Sequence, residues 1–297
     1  MSPRHLLDVT DLTPGELRHV VALSLAAPRP VLSGKGVALV FEKASNRTRQ
    51  SMEMAVVQLG GHPVHTRGEE VGMDTRESVE DVTRIMAGYH AVLAARVYSH
   101  STVERMAACS TVPVVNMLSD RSHPLQAVAD IVTMQQAVGP VDDLTVAWIG
   151  DYNNVARSLA EAVLMLGGSM SFGCPDGYSP DAEETARLSG LGPVRVSADP
   201  VEAVSGAHVV HTDTWVSMGQ ESESAERVRV FAPYQVDEDL MSRARPGAMF
   251  MHCMPAYRGK EVSAAVMDGP RSLAIVQGHH RLTAARGALT FLMEASS

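Results

Sequence analysis

Short apolar runs alternate with amphipathic helical segments along this chain, and that alternation most constrains its fold. Helical spacing of apolar residues marks Val79–Ala87, Gln126–Val138 and Val155–Leu166. Strands that alternate with helices form βαβ units, in which the strands run parallel. The strand-like runs carry few charges, which is typical of strands covered by helices on both faces. The sequence therefore predicts an α/β fold with mostly parallel sheets flanked by helices. The predicted strands are Val37–Phe41, Ala91–Arg96, Val112–Met117, Leu144–Ile149, Met170–Phe172, His208–Thr212, Ala248–His252 and Leu273–Val276.

A turn-rich segment, Gln135–Leu144, divides the chain into two halves. It contains Gly, Pro and paired Asp after a predicted helix, as linkers do. At 297 residues the chain is long enough for two α/β domains. We expect one domain at residues 1–135 and a second at 136–281. A closing helix at about 282–297 is expected to pack back on the first domain.

Polar residues follow the predicted strands at six places. Ligands of open parallel sheets bind outside the carboxyl ends of the strands. We therefore expect one active site, in the cleft between the two domains. The six places are Ser45–Arg49, Arg96, Leu118–Gln126, Asp151–Asn154, Asp213–Gly219 and Cys253–Pro255.

The segment S-N-R-T-R, Ser45 to Arg49, follows the first strand and begins a helix, with Ser45 or Asn46 as its N-cap. The N-terminal end of a helix carries partial positive charge, so each arginine there destabilises the helix by about 0.3–1 kcal/mol. A solvated first turn is the simpler interpretation. The helix-start N–H groups, the Ser45 and Thr48 hydroxyls and Arg47 favour a phosphate site instead. On that hypothesis the two arginines need an anion.

Two further places in the first half carry hydrogen-bond donors. His123 and Gln126 lie three residues apart at a helix start, with Pro124 as the first helical residue. Such a pair suits a carbonyl or phosphate oxygen. Arg96 ends an apolar strand, where a long cation can also reach solvent. Because Arg47 belongs to the same edge, we interpret Arg96 as a second anion ligand.

The second half offers groups of the opposite character. Asp151, Asn153 and Asn154 follow a strand without the G-x-G-x-x-G spacing of dinucleotide sites. Asp213 follows another strand, where a carboxylate suits a cationic amine. Cys253 follows a third, and is either a small buried apolar side chain or a member of the site.

Composition limits the classes of partner and compartment. The formal charge of −9 argues against a nucleic-acid surface. Three widely spaced cysteines fit a reduced, cytoplasmic protein without disulfides. We find neither a signal-peptide core nor a membrane span in the sequence. No P-loop, H-E-x-x-H, G-x-S-x-G or C-x-x-C pattern occurs, and the twelve histidines lack metal-site spacing. We expect no metal and no cofactor.

Taken together, these motifs resemble the aspartate/ornithine carbamoyltransferase family, most closely its ornithine-type branch. S-N-R-T-R is similar to the family's S-T-R-T-R, and H-P-L-Q from His123 to Gln126 matches H-P-x-Q. D-T-W-V-S-M-G-Q-E, Asp213 to Glu221, matches the ornithine-type D-x-W-x-S-M-G-Q-E throughout. H-C-M-P-A-Y-R-G, His252 to Gly259, resembles H-C-L-P-A-H-R-G. The resemblance runs from about residue 36 to the C-terminus.

The resemblance implies carbamoyl transfer from carbamoyl phosphate to L-ornithine, by an enzyme built as a homotrimer or a multiple of trimers. Residues 1–135 would bind carbamoyl phosphate and 136–281 the amino acid. Arg96, His123, Asp213 and Cys253 would take part in catalysis. The implied carbamoyl-phosphate ligands are Ser45, Asn46, Arg47, Thr48, Arg96, His123, Gln126 and Arg281. The implied ornithine ligands are Leu118, Asn154, Asp213, Ser217, Met218, Cys253 and Met254.

Four departures from the family pattern keep alternatives open. Asn46 replaces a Thr, Gly72 stands in a loop where the family has Gln or His, and H-H-R-L ending at Leu282 replaces E-N-R-L. The fourth, Tyr257 in place of a His, is minor. They suggest weaker carbamoyl-phosphate binding or a different amine acceptor. The alternatives are a paralogue for another amine, a non-catalytic anion-binding relative and, from βαβ alternation alone, a dehydrogenase.

Overall fold

The computed structural model of the chain describes residues 3–216 and 221–296. Backbone contacts divide it into two compact units. The first contains the chain up to Val132 and the segment from His279 onward, and the second is Thr133–Gly278. Both divisions fall inside helices, a few residues before the boundaries that the sequence predicts at 135/136 and 281/282.

The first unit is built on a four-stranded sheet in which every strand pair is parallel. Its strands are β1 (Gly36–Phe41), β2 (His62–Arg67), β3 (Val92–Arg96) and β4 (Val114–Leu118), in the order β2-β1-β3-β4. A short 3-10 helix covers Val9–Asp11. The α-helices before and between the strands are α1 (Pro14–Leu25), α2 (Asn46–Gln58), α3 (Gly68–Val71), α4 (Val79–Ala87) and α5 (His100–Cys109), and α6 (Pro124–Ala137) follows β4.

The second unit is built on a five-stranded sheet, also parallel throughout. Its strands are β5 (Thr145–Ile149), β6 (Ser169–Gly173), β7 (Val194–Ser197), β8 (Val209–Thr212) and β9 (Met249–His252), in the order β7-β6-β5-β8-β9. Its helices are α7 (Asn154–Met165), α8 (Ala182–Ser189), α9 (Pro200–Val204), α10 (Ser224–Phe231), α11 (Glu238–Arg243) and α12 (Ala264–Met267). Short 3-10 helices cover Val141–Asp143, Glu221–Glu223 and Ala232–Tyr234, and α13 (Ala274–Ala295) closes the chain.

Apolar residues of the central strands form the core of each unit. In the first unit Val40 of β1 and Leu93 of β3 are completely buried. In the second, Ile149, Val210 and Phe250 of β5, β8 and β9 are buried in one cluster. Each such side chain stabilises the fold by about 1.5–3 kcal/mol. Burial on both faces explains why these strands read as near-continuous apolar runs.

Two edge strands and one helix start differ from the sequence-based prediction. β2 and β7 were not predicted, because each is a partly exposed edge strand rich in polar residues. The predicted strand Leu273–Val276 is wrong: Leu273 precedes α13, and the next three residues form its first turn. An apolar run of four residues cannot by itself distinguish a strand from a helix start.

The order of strands creates one switch point in each sheet. The chain leaves β1 toward β2 on one side and returns to β3 on the other, so β1 and β3 flank the first switch point. In the same way β5 and β8 flank the second. Ligands of open parallel sheets bind at such points, beyond the carboxyl ends of the strands.

The last part of α13 packs on the first unit, as Arg286 shows. Its guanidinium donates to Gln58 Oε1 at 3.1 Å and to the carbonyl of Ala26 at 2.7 Å. Gly287 lies so close to α1 that an added Cβ would meet Ser24 Oγ at 2.2 Å. Among residues 3–216 and 221–296, no helix combines the length and apolar composition that a membrane crossing requires.

Candidate active site

The turn after β1 begins α2 and is capped by Ser45. Ser45 Oγ accepts from the backbone N–H of Thr48 at 3.3 Å and donates to Thr48 Oγ1 at 3.0 Å. Asn46 and Arg47 are exposed in the first helical turn. Arg49 pairs with Glu53 at 2.8 Å, one turn further along. The prediction that both arginines need an anion is therefore wrong for Arg49.

Two buried guanidinium groups converge on the Thr48 hydroxyl. Arg96 Nη1 donates to Thr48 Oγ1 at 3.4 Å, and Arg281 Nη2 donates to the same oxygen at 3.1 Å. Arg281 Nη1 also donates to Gln126 Oε1 at 2.6 Å. Each arginine is only 6% exposed. Two like charges that share a neutral acceptor out of solvent repel each other, and an anion bound beside them would offset that repulsion.

His123 is buried beside these arginines and is neutral at physiological pH. Burial is the first cause of its pKa lying well below 6.5, and the charges of Arg281 and Arg96 lower it further. A neutral imidazole still carries one N–H donor. His123 can therefore donate a hydrogen bond to a carbonyl oxygen without adding a third full charge to the cluster.

The loop that carries His123 is shaped by a buried asparagine of β4. Asn116 Nδ2 donates to Ser119 Oγ at 3.1 Å and to the carbonyl of Ser122 at 3.3 Å. Leu118, the last residue of β4, is paired in register with Arg96 of β3. The first unit thus brings together seven predicted carbamoyl-phosphate residues and the predicted ornithine ligand Leu118, from the start of α2, the ends of β3 and β4, the start of α6 and α13. The seven are Ser45, Arg47, Thr48, Arg96, His123, Gln126 and Arg281.

Asp213, the first residue after β8, is held by three donors in the second unit. Its Oδ1 accepts from Cys253 Sγ at 2.9 Å and from the backbone N–H of Thr214 at 2.8 Å. Its Oδ2 accepts from Asn153 Nδ2 at 3.0 Å. The side chain is nearly buried, at 9% exposed. A carboxylate fixed in this way presents a localised negative charge that suits an amine.

The orientation of the Asn153 amide is fixed by its role as the N-cap of α7. Asn153 Oδ1 accepts from the backbone N–H groups of Val155 and Ala156, both at 3.0 Å. The amide nitrogen is therefore the group left to face Asp213. Asn154, the predicted ligand, is half-buried as the first residue of α7.

The turn after β9 places Cys253 against Asp213 and continues through a left-handed residue. Met254 has φ +64°, a conformation that a side chain disfavours. Its N–H donates to His252 Nδ1 at 2.9 Å, which holds it in place. Strained residues of this kind concentrate at functional sites. Cys253 and Met254 are both half-buried, so they remain accessible at the edge of the sheet.

Three potential metal ligands, Asp213, His252 and Cys253, lie within 4.8 Å of one another. However, both ring nitrogens of His252 are engaged. Nδ1 accepts from Met254, so the proton lies on Nε2, which faces Glu261 Oε1 at 3.3 Å. A metal would have to break one of these contacts. The arrangement fits a hydrogen-bonded network better than a cation site.

Two predicted ornithine ligands, Ser217 and Met218, lie outside the described residues. The departure at Gly72 has a local explanation. Gly72 ends α3 with φ +65°, and a Cβ there would meet the side chain of Arg76 at 2.9 Å. The backbone of this loop therefore favours glycine at the position.

Sequence reasoning missed three residues that shape these sites. Lys43 adds an amine beside Arg96, and burial together with the charge of Arg96 lowers its pKa, which disfavours its charged form. Asn116 holds the loop before His123. It could have been noticed in the sequence, because it is a polar residue inside an apolar strand. Arg227 of α10 forms an ion pair with Asp151 but does not follow a strand, so its position in the sequence gave no indication of this role.

The H-H-R-L departure leaves Arg281 in contact with Thr48 and Gln126.

Both units match models of known domains. Residues 4–136 match the carbamoyl-P binding domain of aspartate/ornithine carbamoyltransferase, and residues 142–292 match its Asp/Orn binding domain. Together these matches cover nearly the whole chain.

Whole-length relatives extend the comparison. The chain is 40% identical over 307 residues to an anabolic ornithine carbamoyltransferase of Pyrococcus furiosus, covering 99% of this chain and 97% of that one. It is 42% identical over 297 residues to an ornithine carbamoyltransferase of Thermus thermophilus, covering 98% and 97%. The solved ornithine carbamoyltransferase structure from Pyrococcus furiosus superposes with a TM-score of 0.93 at 38% identity, covering 99% and 98%.

Proposed function

This chain belongs to the aspartate/ornithine carbamoyltransferase family, and from that premise we propose that it transfers the carbamoyl group of carbamoyl phosphate to the side-chain amine of L-ornithine. The products are L-citrulline and phosphate. The observation that carries the proposal is the opposite charge of the two sites. Arg96 and Arg281 concentrate positive charge in the first unit, and Asp213 presents a fixed carboxylate in the second.

The first unit has the groups that the donor substrate needs. Arg47, the Ser45 and Thr48 hydroxyls and the first-turn N–H groups of α2 suit the phosphate. In our proposal Arg96 and the neutral His123 polarise the carbamoyl carbonyl. They stabilise the negative charge that develops on its oxygen as the amine attacks. Arginine then neutralises the phosphate as the carbon–oxygen bond breaks.

The second unit has the groups that the acceptor needs. An amine attacks the carbamoyl carbon only in its uncharged form, so the ornithine ammonium first gives one proton to solvent. Asp213 orients the nitrogen, with Cys253 hydrogen-bonded to the same carboxylate at 2.9 Å. The departing phosphate is the base that takes the proton released on bond formation. Binding both substrates in a productive orientation supplies much of the acceleration.

The ornithine acceptor is supported by the relatives named above and by the D-T-W-V-S-M-G-Q-E segment from Asp213. A colorimetric ureido assay tests it, with purified protein, carbamoyl phosphate and a panel of amines: ornithine, N-acetylornithine, aspartate, putrescine and lysine. We expect the highest kcat/KM for ornithine. A different preferred amine would favour the paralogue, and turnover on none would reject the proposal.

We also propose that the protein is a cytoplasmic homotrimer or a multiple of trimers in arginine biosynthesis. None of the three cysteines, Cys109, Cys174 and Cys253, forms a disulfide, which fits a reducing compartment. Apolar side chains are exposed on α2, at Met54 and Val57. Because exposed apolar groups favour protein contacts, light scattering of Val57→Lys should show smaller particles than the wild type.

A further inference from the structure

We propose that Arg227 is a positioning residue for the acceptor amine, because it fixes the Asp213 carboxylate from two sides. The inference rests on the proposed function, since it assigns Asp213 to the amine. Arg227 lies on α10 and is only 3% exposed. It touches none of the reacting atoms and acts through the two turns that hold Asp213.

The first route runs through the turn after β5. Arg227 Nη2 forms an ion pair with Asp151 Oδ2. The backbone N–H of Asn153 donates to the carbonyl of Asp151 at 2.9 Å, so the two residues form one tight turn. Asn153 Nδ2 then donates to Asp213 Oδ2 at 3.0 Å. Movement of Asp151 would therefore be transmitted to the donor that orients the carboxylate.

The second route runs through the chain just after Asp213. Arg227 Nε donates to the carbonyl of Trp215 at 2.6 Å. Trp215 lies two residues beyond Asp213, whose own Oδ1 accepts from the intervening N–H of Thr214 at 2.8 Å. The same guanidinium therefore fixes the backbone on one side of Asp213 and its amide partner on the other.

Aromatic rings hold the Arg227 guanidinium in place. Its centre lies 5.0 Å from the ring of Tyr178 and 5.1 Å from that of Phe231. The two rings contact each other edge to face at 4.7 Å. Cation–π contacts of this kind stabilise and orient a buried arginine. The backbone N–H of Tyr152 also donates to the carbonyl of Tyr178 at 2.9 Å, which adds support to the turn after β5.

Charge strengthens the case, because Asp151 lies near enough to Asp213 to affect it. Burial raises the pKa of Asp151, Arg227 lowers it, and the negative charge of Asp213 raises it. Without Arg227, the half-buried carboxylate of Asp151 would be left without this partner beside Asp213. It would repel Asp213 or take up a proton, and either change would disturb the turn that carries Asn153.

The first test compares Arg227→Met and Arg227→Lys with Arg229→Met, an exposed arginine on the same helix. We expect Arg227→Met to raise the KM for ornithine by about tenfold or more, with the KM for carbamoyl phosphate changed by less than about twofold. Arg227→Lys keeps the positive charge beside Asp151 but loses the paired N–H donors of the guanidinium, so we expect a KM for ornithine between those of the wild type and Arg227→Met. Arg229→Met should match the wild type.

A second readout does not depend on turnover. Cys253 donates to Asp213 Oδ1, so its rate of alkylation by iodoacetamide reports on that carboxylate. A thiol reacts faster once a neighbouring negative charge moves away. We expect alkylation of Cys253, located by peptide mass spectrometry, to speed up about threefold or more in Arg227→Met. Alkylation of Cys109 in the first unit, on the same protein, is the internal control.

The two readouts separate the inference from the proposed function. If the wild-type protein does not carbamoylate ornithine, the proposed function fails, and the alkylation rate of Cys253 still tests the role of Arg227. An ornithine KM and a Cys253 rate near wild type in Arg227→Met would overturn the inference. So would equal rises in both KM values, which would indicate a general loss of structure. Should Arg227→Met not fold, Arg227→Lys supplies the same comparison.

Discussion

The two units place their candidate site residues at equivalent points of similar sheets, yet the charges there are opposite. In the first, polar residues follow β1, β3 and β4, and in the second they follow β5, β8 and β9. Both sets include the two strands that flank the switch point. The first set converges on a hydroxyl between Arg96 and Arg281, and the second on the carboxylate of Asp213.

The sheets determine where the polar turns lie, and the side chains of the turns determine the charge presented there. Each switch point offers a helix start after a central strand, capped by Ser45 in α2 and by Asn153 in α7. The cap of α2 leaves its first turn open to an anion. The cap of α7 uses its remaining amide to hold Asp213. Similar sheets therefore present groups of opposite charge, because the side chains of a few turns differ.

The largest effect should come from removing charge in the first unit. We expect Arg96→Met to lower kcat/KM for carbamoyl phosphate about 10³-fold, because it removes a donor that stabilises developing negative charge. The folded protein should keep its Tm, since one of two repelling cations is gone. Steady-state kinetics and thermal unfolding check both. Arg84→Met, which removes only an exposed partner of Asp81 at 3.1 Å, is the control and should have no measurable effect. Activity near wild type in Arg96→Met would contradict the assignment.

The corresponding change in the second unit is Asp213→Asn. We expect kcat/KM for ornithine to fall about 10²-fold, while phosphate affinity changes little. The amide introduced at position 213 could place its NH2 group against the NH2 group of Asn153. The Asn153 amide cannot flip to avoid this, because its Oδ1 caps α7. Kinetics with each substrate varied in turn measures the split. An equal loss for both substrates would break the comparison between the units.

A matched pair of cap substitutions gives a smaller effect and sharpens the comparison. Ser45→Ala and Asn153→Ala should each destabilise the protein by about 0.5–2 kcal/mol, the usual cost of an N-cap. We expect the first to raise the KM for carbamoyl phosphate and the second the KM for ornithine, each about tenfold, as a loss of ~1.4 kcal/mol gives. Chemical denaturation and kinetics test this. If both caps affected the same substrate, the two sites would not be separate.

The smallest effect concerns pH. His123 has a folded-state pKa well below 6.5, so the unfolded chain binds its proton first as the pH falls. Its contribution to stability is therefore complete above pH 6.5 and is lost below it, at up to ~1.4 kcal/mol per pH unit. We expect His123→Gln to flatten the decline in the free energy of unfolding between pH 6.5 and 5. Other buried histidines, such as His100, share this direction, so only the difference between the proteins is diagnostic. An unchanged slope would show that His123 is not buried as described.

Much of this fold could be predicted from the sequence, because fully buried parallel strands are apolar throughout. Edge strands β2 and β7 escaped prediction, since solvent on one side permits polar residues such as Arg67 and Arg195. The start of α13 was read as a strand because four apolar residues fit either structure. The polar turns at strand ends could be predicted, because each is a short motif in the sequence. The ion pair that supports one of these turns could not, because Arg227 and Asp151 are far apart in the sequence and meet only in the folded chain.

We propose that carbamoyl phosphate binds the cationic site of the first unit without help from the carboxylate of the second. Isothermal titration calorimetry of carbamoyl phosphate, with inorganic phosphate as a stable substitute, tests it on the wild type, Arg96→Met and Asp213→Asn. We predict binding about 10²-fold weaker in Arg96→Met and within about twofold of wild type in Asp213→Asn. Weaker binding in Asp213→Asn than in Arg96→Met would show that the carboxylate of the second unit, and not the arginine of the first, governs carbamoyl-phosphate binding.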